Sequence, residues 1–356
     1  MAPYGSTMTP SRSRRFVIDM YSSRYPLWCL PEGDAERIQA ALPPEWEVVR
    51  VLEEADGSGD GVPRSTSALN EALRDAEVYC GFGIPRDVFA ASDRLRWVHS
   101  GSAGVGGSLY PEMLERDVVF TNSAGIHAVP VAEHAVAMMY YFARGLDQVA
   151  AGRRAGRLWD RDRIACAPSP VGELYESVAG IIGYGGIGRE VGRQAKGLGM
   201  QVWALDRDPE RKPLEHADRV FAPADLDEFL AGCDYLVITA PHTPQTAGLI
   251  GAARLGRLKP NAVLINVARA AIVHEEALIA ALRAGAIRGA GLDVYASEPL
   301  PETSELWDLD NVCLTPHIGG VSPRFWERET ELIIENIRRY LAGEPMLNVV
   351  DKQAGY

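Results

Sequence analysis

The sequence predicts an α/β fold built on parallel sheets, and three observations carry that prediction. Short apolar runs alternate with helical patterns through the first third of the chain. An apolar run then leads through a glycine-rich loop into an amphipathic pattern over residues 178–198. Strand-like and helix-like segments continue to alternate beyond it. In the first region the strand-like runs are Phe16-Val17-Ile18, Trp46 to Leu52, Val78-Tyr79-Cys80, Leu95 to His99 and Val118-Val119-Phe120. Asp56 to Pro63 reads as a Gly/Asp-rich loop, and the polar stretch Met1 to Arg15 as a loose tail.

Val178-Ala179-Gly180-Ile181-Ile182 is a short apolar run bounded by glycine, as expected of a strand buried on both faces. The loop Gly183-Tyr184-Gly185-Gly186-Ile187-Gly188 follows. Ile187, Val191, Ala195 and Leu198 then recur every three or four positions, so a helix opens after Gly188. Strand, G-x-G-x-x-G and helix in that order form a dinucleotide-binding unit. The first glycine turns the chain, the second admits the pyrophosphate, and the third lets the helix close on the strand with its positive end toward the phosphates. A second strand, Val202 to Leu205, ends in Asp206, which is 206 − 188 = 18 residues past the last glycine. A carboxylate there accepts the ribose 2′-hydroxyl and repels a 2′-phosphate, which favours NAD. Arg207 and Arg211 keep NADP open as the second cofactor. Tyr235 to Ile238 and Val263 to Ile265 continue the strand series, Glu275 to Ala284 reads as a helix, and Arg324 to Leu341 reads as a last helix with one buried face.

Composition fits an enzyme with two cores. The chain has 356 residues, 47% hydrophobic and 24% charged, and a net charge of −12 argues against nucleic acid or an anionic membrane as partner. Five dispersed cysteines without C-x-x-C predict neither a disulfide framework nor a zinc site, and point to a reducing compartment, hence the cytoplasm. The longest mostly apolar stretch, Ala128 to Ala143, contains Glu133 and His134 and is short for a bilayer span.

From about Leu95 to Val350 the chain resembles the D-isomer-specific 2-hydroxyacid dehydrogenases. The resemblance rests on Trp97-Val98-His99-Ser100 with Ala103-Gly104-Val105, Thr121-Asn122, Val131-Ala132-Glu133-His134 and the Gly183 loop. It continues through Pro241 to Thr246, Asn266-Val267-Ala268-Arg269, Gly291 to Val294, Glu298-Pro299-Leu300-Pro301 and Thr315-Pro316-His317. It implies a Rossmann-type NAD-binding domain, residues 124–317, inserted into a flavodoxin-like substrate domain formed by 1–123 and 318–356. It also implies interconversion of a 2-oxo acid and a D-2-hydroxy acid, and a homodimer formed through the cofactor domain. Leu158 and Trp159 form an apolar element between many arginines, which puts Trp159 at that interface, with packing on its own subunit as the alternative.

The resemblance assigns catalysis to Arg269, Glu298 and His317, and each residue type suits its task. The planar fork of arginine binds a carboxylate bidentately and stays charged. Histidine can protonate the developing alkoxide and act as base in reverse. A carboxylate beside it stabilises the imidazolium and fixes the ring. Cofactor contacts are implied for Gly183, Gly185, Gly186, Ile187, Gly188, Asp206, Pro241, Thr246, Val267, Ala268, Asp293 and Gly319, with Asp293 meeting the nicotinamide amide. The small-residue loop Ser102-Ala103-Gly104, together with Arg269, would hold the substrate carboxylate. Gly106 and Ala270 stand where the family often has aspartate and glycine, and Glu298 argues against the formate dehydrogenase branch. A corepressor-like NAD sensor of the same fold is the alternative, which the intact Arg–Glu–His set disfavours. His134 is expected at a domain interface, and His99, His127, His216, His242 and His274 in solvated or capping roles.

Overall fold

The computed structural model describes residues 14–53, 64–157, 161–166, 169–209 and 214–355. Asp56 to Pro63, Leu158, Trp159 and Arg211 lie outside them. The described residues fall into two compact units, one up to Ile126 and again from Pro323, the other from His127 to Ser322.

In the first unit β1 (Arg14–Asp19), β2 (Trp46–Arg50), β3 (Ala76–Gly81), β4 (Trp97–Ser100) and β5 (Val119–Asn122) form one sheet in the order β2-β1-β3-β4-β5. All neighbours are parallel, and the order is that of flavodoxin-like folds. Arg14 and Arg15, expected in the tail, belong to β1 because their side chains are held by Glu77 and Glu47 on neighbouring strands. Val17, Tyr79, Val98 and Phe120 bury one face of the sheet, and Phe16, Ile18, Val78 and Trp97 the other. This alternation with both faces covered is what crossover helices impose on a parallel sheet. The last helix, Phe325–Ala342, puts Phe325, Trp326, Ile333 and Ile337 into the second of these cores.

Seven parallel strands build the second unit: β6 (Val178–Ile182), β7 (Gln201–Leu205), β8 (Arg219–Phe221), β9 (Tyr235–Ile238), β10 (Val263–Asn266), β11 (Gly289–Leu292) and β12 (Val312–Leu314). Their order is β12-β11-β10-β9-β6-β7-β8, with the reversal of direction beside β6. The fold is therefore α/β with two parallel sheets. Ile182, Leu236, Ile238, Leu264 and Leu292 bury one face, and Ala179, Ile181, Val237, Val263 and Ile265 the other. Ligands of such sheets bind outside the carboxyl ends of the strands. Here Leu205, Ile182, Ile238, Asn266, Leu292 and Leu314 lie in one register, so six strands end on a common line.

The helix Ala128–Ala143 runs along β11, and glycines on that strand let it come close. A Cβ on Gly289 would sit 2.6 Å from Phe142, and one on Gly291 would sit 2.6 Å from the Met138 sulfur. Beside it, the carboxylate of Asp147 is fully buried and takes two bonds from Arg288, at 2.7 and 2.9 Å. No helix among the described residues is long and apolar enough to cross a membrane.

Candidate active site

Each candidate cofactor or catalytic residue of the second unit follows the carboxyl end of a strand. Gly183 follows β6, Asp206 β7, Pro241 and Thr246 β9, Val267 to Arg269 β10, Asp293 and Glu298 β11, and His317 and Gly319 β12.

The glycine loop has the sterics its sequence implies. Gly183 has φ +90°, and a Cβ there would lie 2.5 Å from the Ala240 backbone. A Cβ on Gly188 would lie 2.3 Å from the Gly183 carbonyl oxygen. A Cβ on Gly185 would meet no atom of another element within 4 Å among the described residues, which leaves room for a phosphate group. The helix begins at Gly186, three residues before the expected point, because the last two glycines form its first turn. Gly185 at the N-cap supplies no side-chain cap, which suits the amides of that turn to an anion. These residues fit a dinucleotide. Asp206 donates its amide to Phe221 O at 3.1 Å and accepts the Asp208 amide at 3.0 Å, which fixes the carboxylate at the end of β7. The Thr246 hydroxyl lies 2.7 Å from Pro241 O and receives the Thr243 amide at 2.8 Å. These bonds shape the loop after β9.

Arg269 is presented by a turn that Asn266 organises. The Asn266 amide donates to Arg269 O at 3.0 Å, and its oxygen accepts the Ala268 amide at 3.1 Å. The guanidinium is half-buried and bonds Ala268 O at 2.8 Å. Glu298 and His317 are joined directly, Oε2 to Nδ1 at 2.8 Å. The other carboxylate oxygen, Oε1, accepts the Tyr295 amide at 3.0 Å, so the carboxylate cannot swing away from the ring. The Glu298 bond thus engages the ring through Nδ1.

Asp293 is occupied by the loop that carries His317. Its carboxylate accepts the Thr315 hydroxyl at 2.6 Å and the amides of Ile318 and Gly319 at 2.9 and 2.8 Å. Burial alone would raise this carboxyl, but donors from His134, Thr315 and the two amides outweigh it and hold the group below the usual aspartate range. His134, expected at an interface, places Nε2 2.9 Å from Thr315 Oγ1. His127 bonds Gly320 O through Nδ1 at 3.1 Å.

In the first unit Ala103 and Gly104 are exposed at the end of β4, while Ser102 is 6% exposed and its hydroxyl has no hydrogen-bond partner among the described residues. Asn122 holds the loop by donating to Ala103 O at 2.9 Å. His99 is not solvated. It is fully buried between Thr121 Oγ1 and Glu329 Oε1, each 2.8 Å away, and Ser123 Oγ lies 2.9 Å from the same Glu329 oxygen. Glu329 was not singled out in the sequence. An acidic residue in the apolar stripe of the last helix, between Phe325 and Ile333, is the signal that marks it.

Residues 136–319 match the family model described as D-isomer specific 2-hydroxyacid dehydrogenase, NAD binding domain. The chain belongs to this dehydrogenase family. A glyoxylate reductase of Pyrococcus furiosus is 35% identical over 272 residues, 76% of this chain and 80% of the relative. A D-3-phosphoglycerate dehydrogenase of Methanocaldococcus jannaschii is 30% identical over 308 residues, 86% of this chain but 57% of that protein. The chain thus spans little more than half of that relative. Among solved structures, a D-isomer specific 2-hydroxyacid dehydrogenase from Xanthobacter autotrophicus, crystallised with NADPH and MES, is similar with a TM-score of 0.77. Its identity is 31% over 96% of this chain and 99% of that one. Membership makes the protein an NAD(P)-dependent oxidoreductase of the 2-hydroxyacid type.

Proposed function

We propose that the protein reduces a small 2-oxo acid to the D-2-hydroxy acid with His317 as the acid, and runs the reverse reaction with His317 as the base. The observation that carries this reading is the Nδ1–Oε2 bond of 2.8 Å between His317 and Glu298 in a loop at the carboxyl edge of the dinucleotide-binding sheet. When bound, the nicotinamide supplies the hydride. Glu298 fixes the ring and stabilises its cationic form, so that Nε2 can give a proton to the ketone oxygen as negative charge develops there. Arg269 binds the neighbouring carboxylate as a fork and is already cationic, so it also stabilises the alkoxide.

Asp206 supports NAD as the preferred cofactor, although the Xanthobacter relative was crystallised with NADPH. Glyoxylate reductases among the relatives support a short 2-oxo acid as substrate. The test is consumption of NADH and NADPH, in parallel, with glyoxylate, hydroxypyruvate, pyruvate and bulkier 2-oxo acids, followed by chiral analysis of the product. Turnover of none of them, or an L product, contradicts the reading. A homodimer through the cofactor unit is part of the proposal. Tyr140, Leu146 and Val149 are 39%, 48% and 47% exposed on the helices Ala128–Ala143 and Leu146–Arg154, and they supply an apolar face for it. A monomer in sedimentation at micromolar concentration would remove that part.

A further inference from the structure

Between the helix Ala128–Ala143 and β11 there is a match of spacing that ends on the His317 loop. Phe142 lies on Gly289 and Met138 on Gly291. Four residues of helix rise about 6 Å and two residues of strand about 6.6 Å, so the two ladders stay in step. The next rung pairs His134 with Asp293, and the His134 Nε2 is 3.5 Å from Asp293 Oδ1. This histidine is therefore delivered to its place by the helix–strand contact.

Its proton can be assigned from the network. Thr315 spends its hydroxyl proton on Asp293 at 2.6 Å, so it must accept from His134, whose Nε2 carries the hydrogen. The result is a directed chain: His134 donates to Thr315, Thr315 to Asp293, and Asp293 gathers the amides of Ile318 and Gly319. Thr315 and Ile318 flank His317, whose own φ is +54°, in the left-handed region that is uncommon for a residue with a side chain. Such a backbone persists only where its surroundings over-determine it. His127, seven residues before His134 and on the same face of the helix, holds Gly320 O and bounds the loop on its far side. A Cβ on Gly319 would lie 2.8 Å from Asp293 and 3.4 Å from His134, so the loop has no slack toward them.

We propose that His134 is a positioning residue for the reaction. Through Thr315 and Asp293 it holds the left-handed backbone that aims the His317 ring, with Glu298 on Nδ1 and Nε2 toward the substrate. This rests on His317 being the acid of the proposed reaction. The test compares His134→Phe, His134→Gln, Thr315→Val and His317→Ala in single-turnover reduction of a 2-oxo acid by NADH. Ring-nitrogen NMR of His317 in the protein alone provides a readout independent of turnover.

Phenylalanine keeps the bulk of the ring and removes the donor, whereas the glutamine amide reaches the Nε2 position. His134→Phe and Thr315→Val should each slow the step roughly ten- to a hundredfold through misplacement of the acid. The KM for the 2-oxo acid and the Kd for NADH should stay within about twofold, and the His317 nitrogen resonances should move. His134→Gln should recover both rate and resonances. Full rate and unmoved resonances in His134→Phe and Thr315→Val, with His317→Ala inactive, overturn the inference and leave the proposed reaction standing. A slow His134→Gln overturns it too, because it reduces His134 to a matter of shape. An unimpaired His317→Ala refutes the reaction itself, and the inference falls with it.

Discussion

Replacing Gly188 with alanine puts one methyl group where the dinucleotide helix meets its strand. That Cβ would lie 2.3 Å from the Gly183 carbonyl oxygen and 3.0 Å from Thr239 Oγ1, against about 3.4 Å for an ordinary contact. Neither neighbour yields easily. Gly183 is pressed against the Ala240 backbone, and its carbonyl already accepts the Thr239 hydroxyl at 2.6 Å. The start of the helix must therefore retreat by about 1 Å, an overpacking that costs about 1–3 kcal/mol of stability. The same shift stretches a 2.9 Å amide–phosphate bond beyond hydrogen-bonding range. Losing one such bond to a charged group costs about 1.5–3 kcal/mol, or roughly 10- to 150-fold in Kd. Calorimetric titration with NADH and a thermal melt check both quantities. Gly197→Ala in the same helix, whose new Cβ meets no described atom within 4 Å, is the control: it should leave the NADH Kd unchanged and should not lower Tm, because alanine is the better helix former. An NADH Kd within about twofold of wild type and an unchanged Tm in Gly188→Ala would show that the Gly188–Gly183 contact does not hold the helix at the phosphate site.

Three further substitutions probe other parts of the account. Arg269→Lys keeps the charge but loses the fork, so KM for the 2-oxo acid should rise at least about tenfold and kcat should fall as well; wild-type kinetics would remove the clamp assignment. Asp206→Ser should narrow the preference for NADH over NADPH in kcat/KM, and a wild-type enzyme that prefers NADPH would show the reading of Asp206 to be mistaken. Asp19 is buried at the end of β1 and its carboxyl is pushed up to about 6, chiefly by burial, with the Tyr79 hydroxyl 3.0 Å away working in the opposite direction. A carboxyl raised on folding contributes stability that is complete below the unfolded value and is lost as pH rises through about 6. Asp19→Asn lacks this loss, so it should gain on wild type by roughly 1 kcal/mol between pH 5 and pH 7.5 in denaturant melts. A gap that stays constant with pH would contradict the assignment.

Much of the cofactor unit was legible because its signals are local. Val178–Ile182 and Tyr235–Ile238 form strands with the bounds their apolar runs predict, and Asp206 ends its strand as the spacing requires. The short strand Arg219–Phe221 escaped notice because only Phe221 is buried, leaving no periodic pattern to read. Histidine was the least legible residue type. His99 meets Glu329 across 230 positions of sequence, and His134 meets Thr315 across 181. Those contacts depend on which face of a helix lies on which strand. The small residues that set this, Gly289 and Gly291, show their purpose only once Phe142 and Met138 are seen against them. Asp293 illustrates the same limit. The sequence locates it at a strand end, while the donors that fill its carboxylate come from a loop more than twenty residues later.

The proposed reaction turns on His317 passing a proton to the keto oxygen of a 2-oxo acid. Single-turnover reduction of glyoxylate or hydroxypyruvate by NADH, in wild type and in His317→Ala at saturating cofactor, tests it most directly. The wild type should yield a D-2-hydroxy acid, and the variant should be slower by roughly 10² to 10⁴ with NADH affinity retained. Equal rates in the two proteins would contradict it.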